Sequence, residues 1–277
     1  MKSLRHIFLI LVITLTNSIW SSEDDKSFQE QSMLSVLYAQ TSAEFSANNI
    51  QTYNNAKLAL DRALADKSWT AALEQYGNYE DKMPAIILDV DETVLDNSAF
   101  QARTIIEGLS YPNGWVEYVN EENSSLVSGV KDFLLYAKEK GVKVFYVTNR
   151  IHILDKATKN NIKALGLPFD DDIDVLLMRD ENGWTRDKTS RRTLVAKDHR
   201  ILLLIGDQLT DFISAEESYV FHSERKKIAD KYSNMWGTKW FVITNPMYGR
   251  WEYSIYNNKS PESEEDAKAI RINSLRP

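Results

Sequence analysis

The chain has 277 residues, 43% of them hydrophobic and 26% charged, with a formal net charge of −7 and no cysteine. That length and apolar share suit one large or two small globular domains with a sizeable core. The acidic balance, without a long basic run, excludes broad nucleic-acid binding, and the lack of cysteine excludes disulfides, thiol catalysis, cysteine zinc sites and a lipid-bearing cysteine.

Residues 1–21 read as a secretory signal peptide. Lys2, Arg5 and His6 precede an apolar stretch over residues 7–15, too short to span a bilayer, and small polar residues lead out to Glu23-Asp24-Asp25. Ser18 and Ser21 are both candidates for the last leader residue, since Trp20 breaks the usual small-residue pattern; an uncleaved anchor is the alternative. Residues 27–80 form an N-terminal helical segment contributing to a smaller subdomain. Met33, Leu34, Leu37, Tyr38 and Thr41 recur at helical spacing, Ala56, Leu58, Ala59, Leu60, Ala63 and Leu64 form a second helix, and Asn48-Asn49 is the expected break between them.

Residues 81–257 alternate strands with helices. The apolar run Ala85-Ile86-Ile87-Leu88 stops at Asp89-Val90-Asp91, and an irregular, aromatic-bearing excursion over 98–128 follows. A helix ending at Gly141, a strand stopping at Thr148-Asn149-Arg150, and a helix ending at Gly166 come next. A short strand over 175–178, the most apolar strand over 201–205 and a last strand over 240–243 complete the pattern. This order predicts an α/β fold built on a parallel sheet with right-handed crossovers. The polar tail, 258–277, reads as a helix or a frayed end.

In a doubly wound sheet the polar stops at Asp89, Asp91, Thr148 and Asp207 lie along one edge and converge on one crevice. Asp89 and Asp91 share a side of the extended backbone, where two carboxylates repel unless a cation or a proton lies between them. That pairing suits a nucleophile beside a general acid/base. Asp207 and Asp211 sit near one point if a turn begins there, and Asp89, Asp207 and a backbone carbonyl can offer hard oxygen ligands to Mg²⁺. Thr148, Arg150 and Lys188 offer donors for an anion, and Arg191 and Arg192 add positive potential. These are the parts of phosphoryl transfer through an aspartyl-phosphate. Two alternatives stay open: an Asp-x-Asp metal-dependent glycosyltransferase, and a catalytically retired phosphatase-like scaffold for storage or binding.

The segment Asp89-Val90-Asp91-Glu92-Thr93-Val94-Leu95-Asp96-Asn97 resembles the first motif of the haloacid dehalogenase (HAD) superfamily. More narrowly, it is similar to that of the class C nonspecific acid phosphatases of bacteria and their plant acid-phosphatase-like relatives. Tyr146-Val147-Thr148-Asn149-Arg150 resembles the second motif, Asp187-Lys188 the third, and Gly206-Asp207-Gln208-Leu209-Thr210-Asp211-Phe212 the fourth. Tyr38-Ala39-Gln40-Thr41-Ser42-Ala43-Glu44 and Ala56-Lys57-Leu58-Ala59-Leu60-Asp61 resemble the family's N-terminal helices, and Asn245-Pro246-Met247-Tyr248-Gly249-Arg250-Trp251-Glu252 its C-terminal segment.

The resemblance implies a Rossmann-like HAD core with a smaller helical lid, in an exported, Mg²⁺-dependent acid phosphatase of the periplasm or the cell exterior. Its substrates would be small phosphomonoesters, nucleoside monophosphates and aryl phosphates among them. Under it, Asp89 is the nucleophile and a metal ligand. Asp91 protonates the leaving oxygen and lends its carbonyl to the metal. Thr148, Asn149 and Lys188 hold the phosphoryl group, Asp207 and Asp211 complete the Mg²⁺ site, and Trp115, Tyr248 and Trp251 line the substrate pocket. No nucleic-acid polymer and no membrane anchor after leader removal are expected, and a homodimer is the candidate assembly. The chain departs from its lipoprotein relatives in lacking cysteine, and Gln208 stands where the family more often has Asn.

Overall fold

The computed structural model describes residues 30–277, so the leader over 1–21 lies outside the described residues. Five strands form one parallel sheet: β1 (Met83–Leu88), β4 (Lys143–Ile151), β5 (Leu176–Arg179), β6 (His199–Gly206) and β7 (Trp240–Val242), in the order β5-β4-β1-β6-β7. The chain builds outward from β1 to β5 on one side, then returns to place β6 and β7 on the other. β1 therefore stands at the reversal of strand order, where α/β sheets open a crevice at their carboxyl ends.

The strands read as continuous apolar runs because both faces are covered. Along β1, Ile86 and Leu88 pack into one apolar layer while Ala85 and Ile87 pack into the other. The pairing with β6 slips by one residue between Ala85 and Ile86, so Leu202 faces the same layer as Leu203.

The N-terminal helices are α1 (Met33–Thr41) and α2 (Ala43–Ala65). They break at Ser42, not at Asn48-Asn49. The Ser42 side chain accepts a hydrogen bond from the Phe45 N–H at 3.0 Å and caps α2, whereas Asn49 is buried within that helix. α2 lies against β6 and α5 (Val130–Glu139).

The excursion after β1 is more regular than expected. β2 (Leu95–Asp96) pairs antiparallel with β3 (Ser125–Leu126), enclosing α3 (Ser98–Glu107) and α4 (Trp115–Asn120). Phe100, Trp115 and Tyr118 hold it together, with ring centroids 5.0 to 5.8 Å apart. α6 (Asp155–Ala164) follows β4, α7 (Thr189–Asp198) leads into β6, and α8 (Ala215–Ser218) and α9 (His222–Lys231) connect β6 to β7. α10 (Arg250–Tyr253) precedes the tail, which is a helix, α11 (Glu264–Ser274), docked by ion pairing of Arg271 with Glu252 and by burial of Ala267. Among the described residues, no helix is long and apolar enough to cross a membrane.

Candidate active site

The sheet register fixes the centre of the site. Leu88 lies opposite Tyr146 on one side and Ile205 on the other, so the chain just beyond β1 runs between Thr148 and Asp207. Asp89 donates its N–H to the Ile205 carbonyl at 3.0 Å, carrying the sheet contact one residue past the strand. Its Oδ1 accepts from the Val90 N–H at 2.7 Å and from Lys188 Nζ at 2.6 Å.

Lys188 is buried and bridges two acids, with Nζ also 2.6 Å from Asp211 Oδ1. Asp207 closes the group: carboxylate oxygens of Asp89, Asp207 and Asp211 lie within 4.8 Å of one another. Asp207 Oδ2 is oriented by Gln208 Nε2 at 2.7 Å and Asn245 Nδ2 at 2.8 Å, and Asp211 Oδ2 accepts from the Gln208 N–H at 2.8 Å. The packing is tight enough that a Cβ on Gly206 would lie 2.2 Å from Asp211 Oδ2.

Three acids around one lysine leave excess negative charge. Burial holds the Asp89 carboxyl well above its ordinary range; Lys188 opposes this, while Asp211, Asp207 and Asp91 add to it. The low-dielectric surroundings and then Asp211 push Asp207 up to about 7, against the donors from Gln208 and Asn245. Burial disfavours the charge on Lys188, but Asp211 and Asp89 outweigh it and raise its affinity for its proton. Oxygen-only donors, oriented by amides and carrying surplus charge, fit a hard divalent cation.

Asp91 belongs to a different network. Arg150 Nε and Nη2 each lie 2.9 Å from Asp91 Oδ1, and Asn97 Nδ2 lies 2.8 Å from the same oxygen. The two motif acids therefore do not share one cation: Lys188 serves Asp89 and Arg150 serves Asp91. The Asp91 carboxylate stands outside the three-acid cluster.

Behind it, Glu92 takes a left-handed backbone (φ 55°) and turns its buried carboxyl inward. It accepts from the Asn97 N–H at 2.9 Å, from Asn97 Nδ2 at 3.2 Å and from the Tyr248 hydroxyl. Burial, then Asp91, push Glu92 up to about 8. Glu92 and Asn97 are site residues that sequence reasoning did not single out, although both lie inside the first motif.

The second motif divides its work. Thr148 is buried, and its Oγ1 accepts the Arg150 N–H at 3.0 Å. The Asn149 side chain is turned to the protein: Nδ2 donates to the Arg186 carbonyl at 3.0 Å, and Oδ1 accepts from Arg191 Nη2 at 2.8 Å. The Asn149 side-chain amide is thus held by protein groups at both ends. Arg191 also donates to the carbonyls of Thr148, Thr185 and Asp187. Arg192 pairs with Glu74 at 2.6 Å and donates to the Thr210 carbonyl at 2.9 Å and the Asp211 carbonyl at 3.2 Å. Both guanidinium groups brace motif loops.

The expected pocket aromatics differ in setting. Trp115 is buried, with the Arg150 guanidinium 5.4 Å from its ring centre. Tyr248 is tied to Glu92, and Trp251 is 39% exposed, with its indole N–H donating to the Tyr248 carbonyl at 3.1 Å. Beside Glu92, a cavity of about 430 Å³ opens against the α1–α2 junction, where Gln40, Phe45, Ser46 and Asn49 line it. No periodicity signals those four residues, because it is the junction of α1 and α2 that brings them together.

Comparison with known proteins agrees with this geometry. The family model of the HAD superfamily, subfamily IIIB (acid phosphatase), matches residues 17–251. The class C acid phosphatase from Bacillus anthracis has a similar structure, 33% identical, with 90% of this chain and 98% of that chain covered and a TM-score of 0.80. The same enzyme with tungstate bound is 32% identical over the same shares, at a TM-score of 0.79. Fold and site define a phosphatase of the HAD type. The chain belongs to the subfamily IIIB acid phosphatases of that superfamily. The glycosyltransferase alternative falls with that assignment.

Proposed function

We propose that this protein is an exported, Mg²⁺-dependent acid phosphatase that hydrolyses small phosphomonoesters, nucleoside monophosphates and aryl phosphates among them, through a phosphoryl group carried on Asp89. The observation that carries the reading is the buried Lys188 ammonium held between Asp89 and Asp211, with Asp207 beside them, at the carboxyl end of β1. The tungstate bound by the Bacillus anthracis enzyme supports it, since tungstate is a tetrahedral oxyanion like phosphate. The basic, apolar and polar order of residues 1–21 supports export.

Asp89, Asp207, Asp211 and the Asp91 carbonyl would hold the Mg²⁺. When bound, that ion supplies charge neutralisation and orientation for the phosphoryl oxygens. The Asp89 carboxylate attacks phosphorus, forming an Asp89 O–P bond as the bond to the leaving oxygen breaks. Asp91 gives that oxygen a proton. Among the described residues, its contacts with neighbouring side chains fall on Oδ1, which leaves Oδ2 to carry the proton. Asp91 then takes a proton from water, which attacks phosphorus and releases inorganic phosphate from Asp89. Lys188 and the Thr148 hydroxyl hold phosphoryl oxygens.

The test is phosphate release from an aryl phosphate and from AMP, with Mg²⁺ and with EDTA, beside Asp89→Asn. Turnover abolished both by EDTA and by the substitution, in a variant that remains folded, is expected. A folded wild type without turnover would leave the retired-scaffold reading standing.

A further inference from the structure

Arg225 and Arg250 form a pair of guanidinium groups for which the described residues supply no carboxylate. Arg225 on α9 donates from Nη1 to the Ser218 carbonyl at 3.0 Å. The next residue, Tyr219, receives the Arg250 guanidinium 3.5 Å from its ring centre, with Tyr253 on another side at 5.4 Å. Neither arginine takes part in any ion pair among the described residues, and Arg250 Nε is buried without an acceptor. Three acids on the same elements are committed elsewhere: Glu217 to Lys231, Glu224 to Lys227, and Glu252 to Arg271. Burial, then the charge of Arg250, weaken the hold of Arg225 on its proton, as expected for two like charges in a half-buried place without a counterion.

The pair is attached to the catalytic centre. The Arg250 N–H donates to Gln208 Oε1 at 2.9 Å, and Gln208 Nε2 donates to Asp207 at 2.7 Å, so one side chain separates the Arg250 backbone from the three-acid cluster. The Arg250 guanidinium lies 3.5 Å from the centre of the Tyr219 ring, and a guanidinium can engage an oxyanion in a forked contact.

We propose that Arg225 and Arg250 form a second anion subsite, which selects phosphomonoesters bearing a further phosphate or carboxylate. This deepens the phosphatase reading and rests on it.

The test compares kcat/KM within two substrate pairs: adenosine 3′,5′-bisphosphate against AMP, and 3-phosphoglycerate against glycerol 3-phosphate. Wild type is expected to favour the doubly anionic member of at least one pair by about tenfold, chiefly through KM, the scale of one charge-assisted hydrogen bond. A response in the first pair alone assigns a second phosphate, and in the second pair alone a carboxylate. Arg225→Gln and Arg250→Gln should each bring the ratio toward one, while Arg250→Lys keeps part of it. The wild-type ratio should also fall as ionic strength rises, a readout that needs no substitution. Turnover with a ratio near one in both pairs, or a ratio that neither salt nor either Gln variant moves, overturns the subsite alone. No turnover of any of the four substrates with Mg²⁺ overturns the phosphatase reading and the subsite with it.

Discussion

Each motif acid has its own cation, and this division sets what individual residues do. Asn97 is the joint between the halves: its amide nitrogen reaches Asp91 at 2.8 Å and Glu92 at 3.2 Å, while its oxygen accepts from Arg150 at 3.3 Å. Asn97→Ala would free Asp91 and Arg150 to swing without touching Asp89. We expect kcat to fall by about 10- to 100-fold with KM little changed, since a misplaced general acid costs the chemical step rather than binding. Steady-state kinetics on an aryl phosphate would check this, and a change confined to KM would contradict it. Asp89 and Asp91 were legible in the sequence because an apolar strand ends on them, whereas Lys188 lies in a charge-rich stretch and was reached through the resemblance of Asp187-Lys188 to the third motif. Glu92 and Asn97 were not, because their roles depend on a left-handed turn at Glu92 that folds the motif back on itself. The setting of the Asn149 side chain was hidden for the opposite reason: its place beside Thr148 is evident in the sequence, whereas the Arg191 that holds its amide oxygen comes from another element.

At the scale of elements, the strands and the glycine stops were legible, since Gly141 and Gly166 both take left-handed φ just beyond their helices. The break between α1 and α2 was displaced, because paired Asn residues look like a helix end while Ser42 supplies the actual cap. The helices of the excursion were hidden by Pro112, Asn113 and Gly114, which bend the chain between α3 and α4. The last residue of β6 carries a sharp test. Gly206→Ala would place a Cβ 2.4 Å from the Asp211 Cβ, too close for either to stay. Asp211 would move away from Lys188, and divalent-cation binding and turnover should fall together, which titration calorimetry and kinetics can follow; unchanged cation affinity would count against the assignment of Asp211. On α7, Arg192→Ala would leave the Glu74 carboxylate buried without its partner. It should destabilise the fold by about 3–5 kcal/mol in denaturant melts, and a loss well below that would mean the pair is replaced by water.

For the whole molecule, the site is a source of instability that a cation relieves. Asp207 stands at about 7 and Glu92 at about 8, against 3.8 and 4.5 ordinarily, and Asp89 is also raised. Between those limits the folded chain holds protons that the unfolded chain has released, so raising the pH from about 4 to about 8 lowers the stability of the metal-free protein. A divalent cation stabilises the ionised carboxylates, so its effect on thermal unfolding should be larger near about pH 7.5 than near about pH 5, and EDTA should remove it. A Tm gain from Mg²⁺ that is constant with pH, or greatest in acid, would contradict this.

As nucleophile, Asp89 would carry the phosphoryl group between the two steps of the reaction. The most direct measurement is acid-quenched turnover of a ³²P-labelled phosphomonoester with Mg²⁺, followed by counting label retained on the denatured protein. Label that hydroxylamine releases, as it does an acyl phosphate, is expected on the wild type, and none on Asp89→Asn. Rapid turnover with no trapped label, or equal label on the variant, would contradict that role.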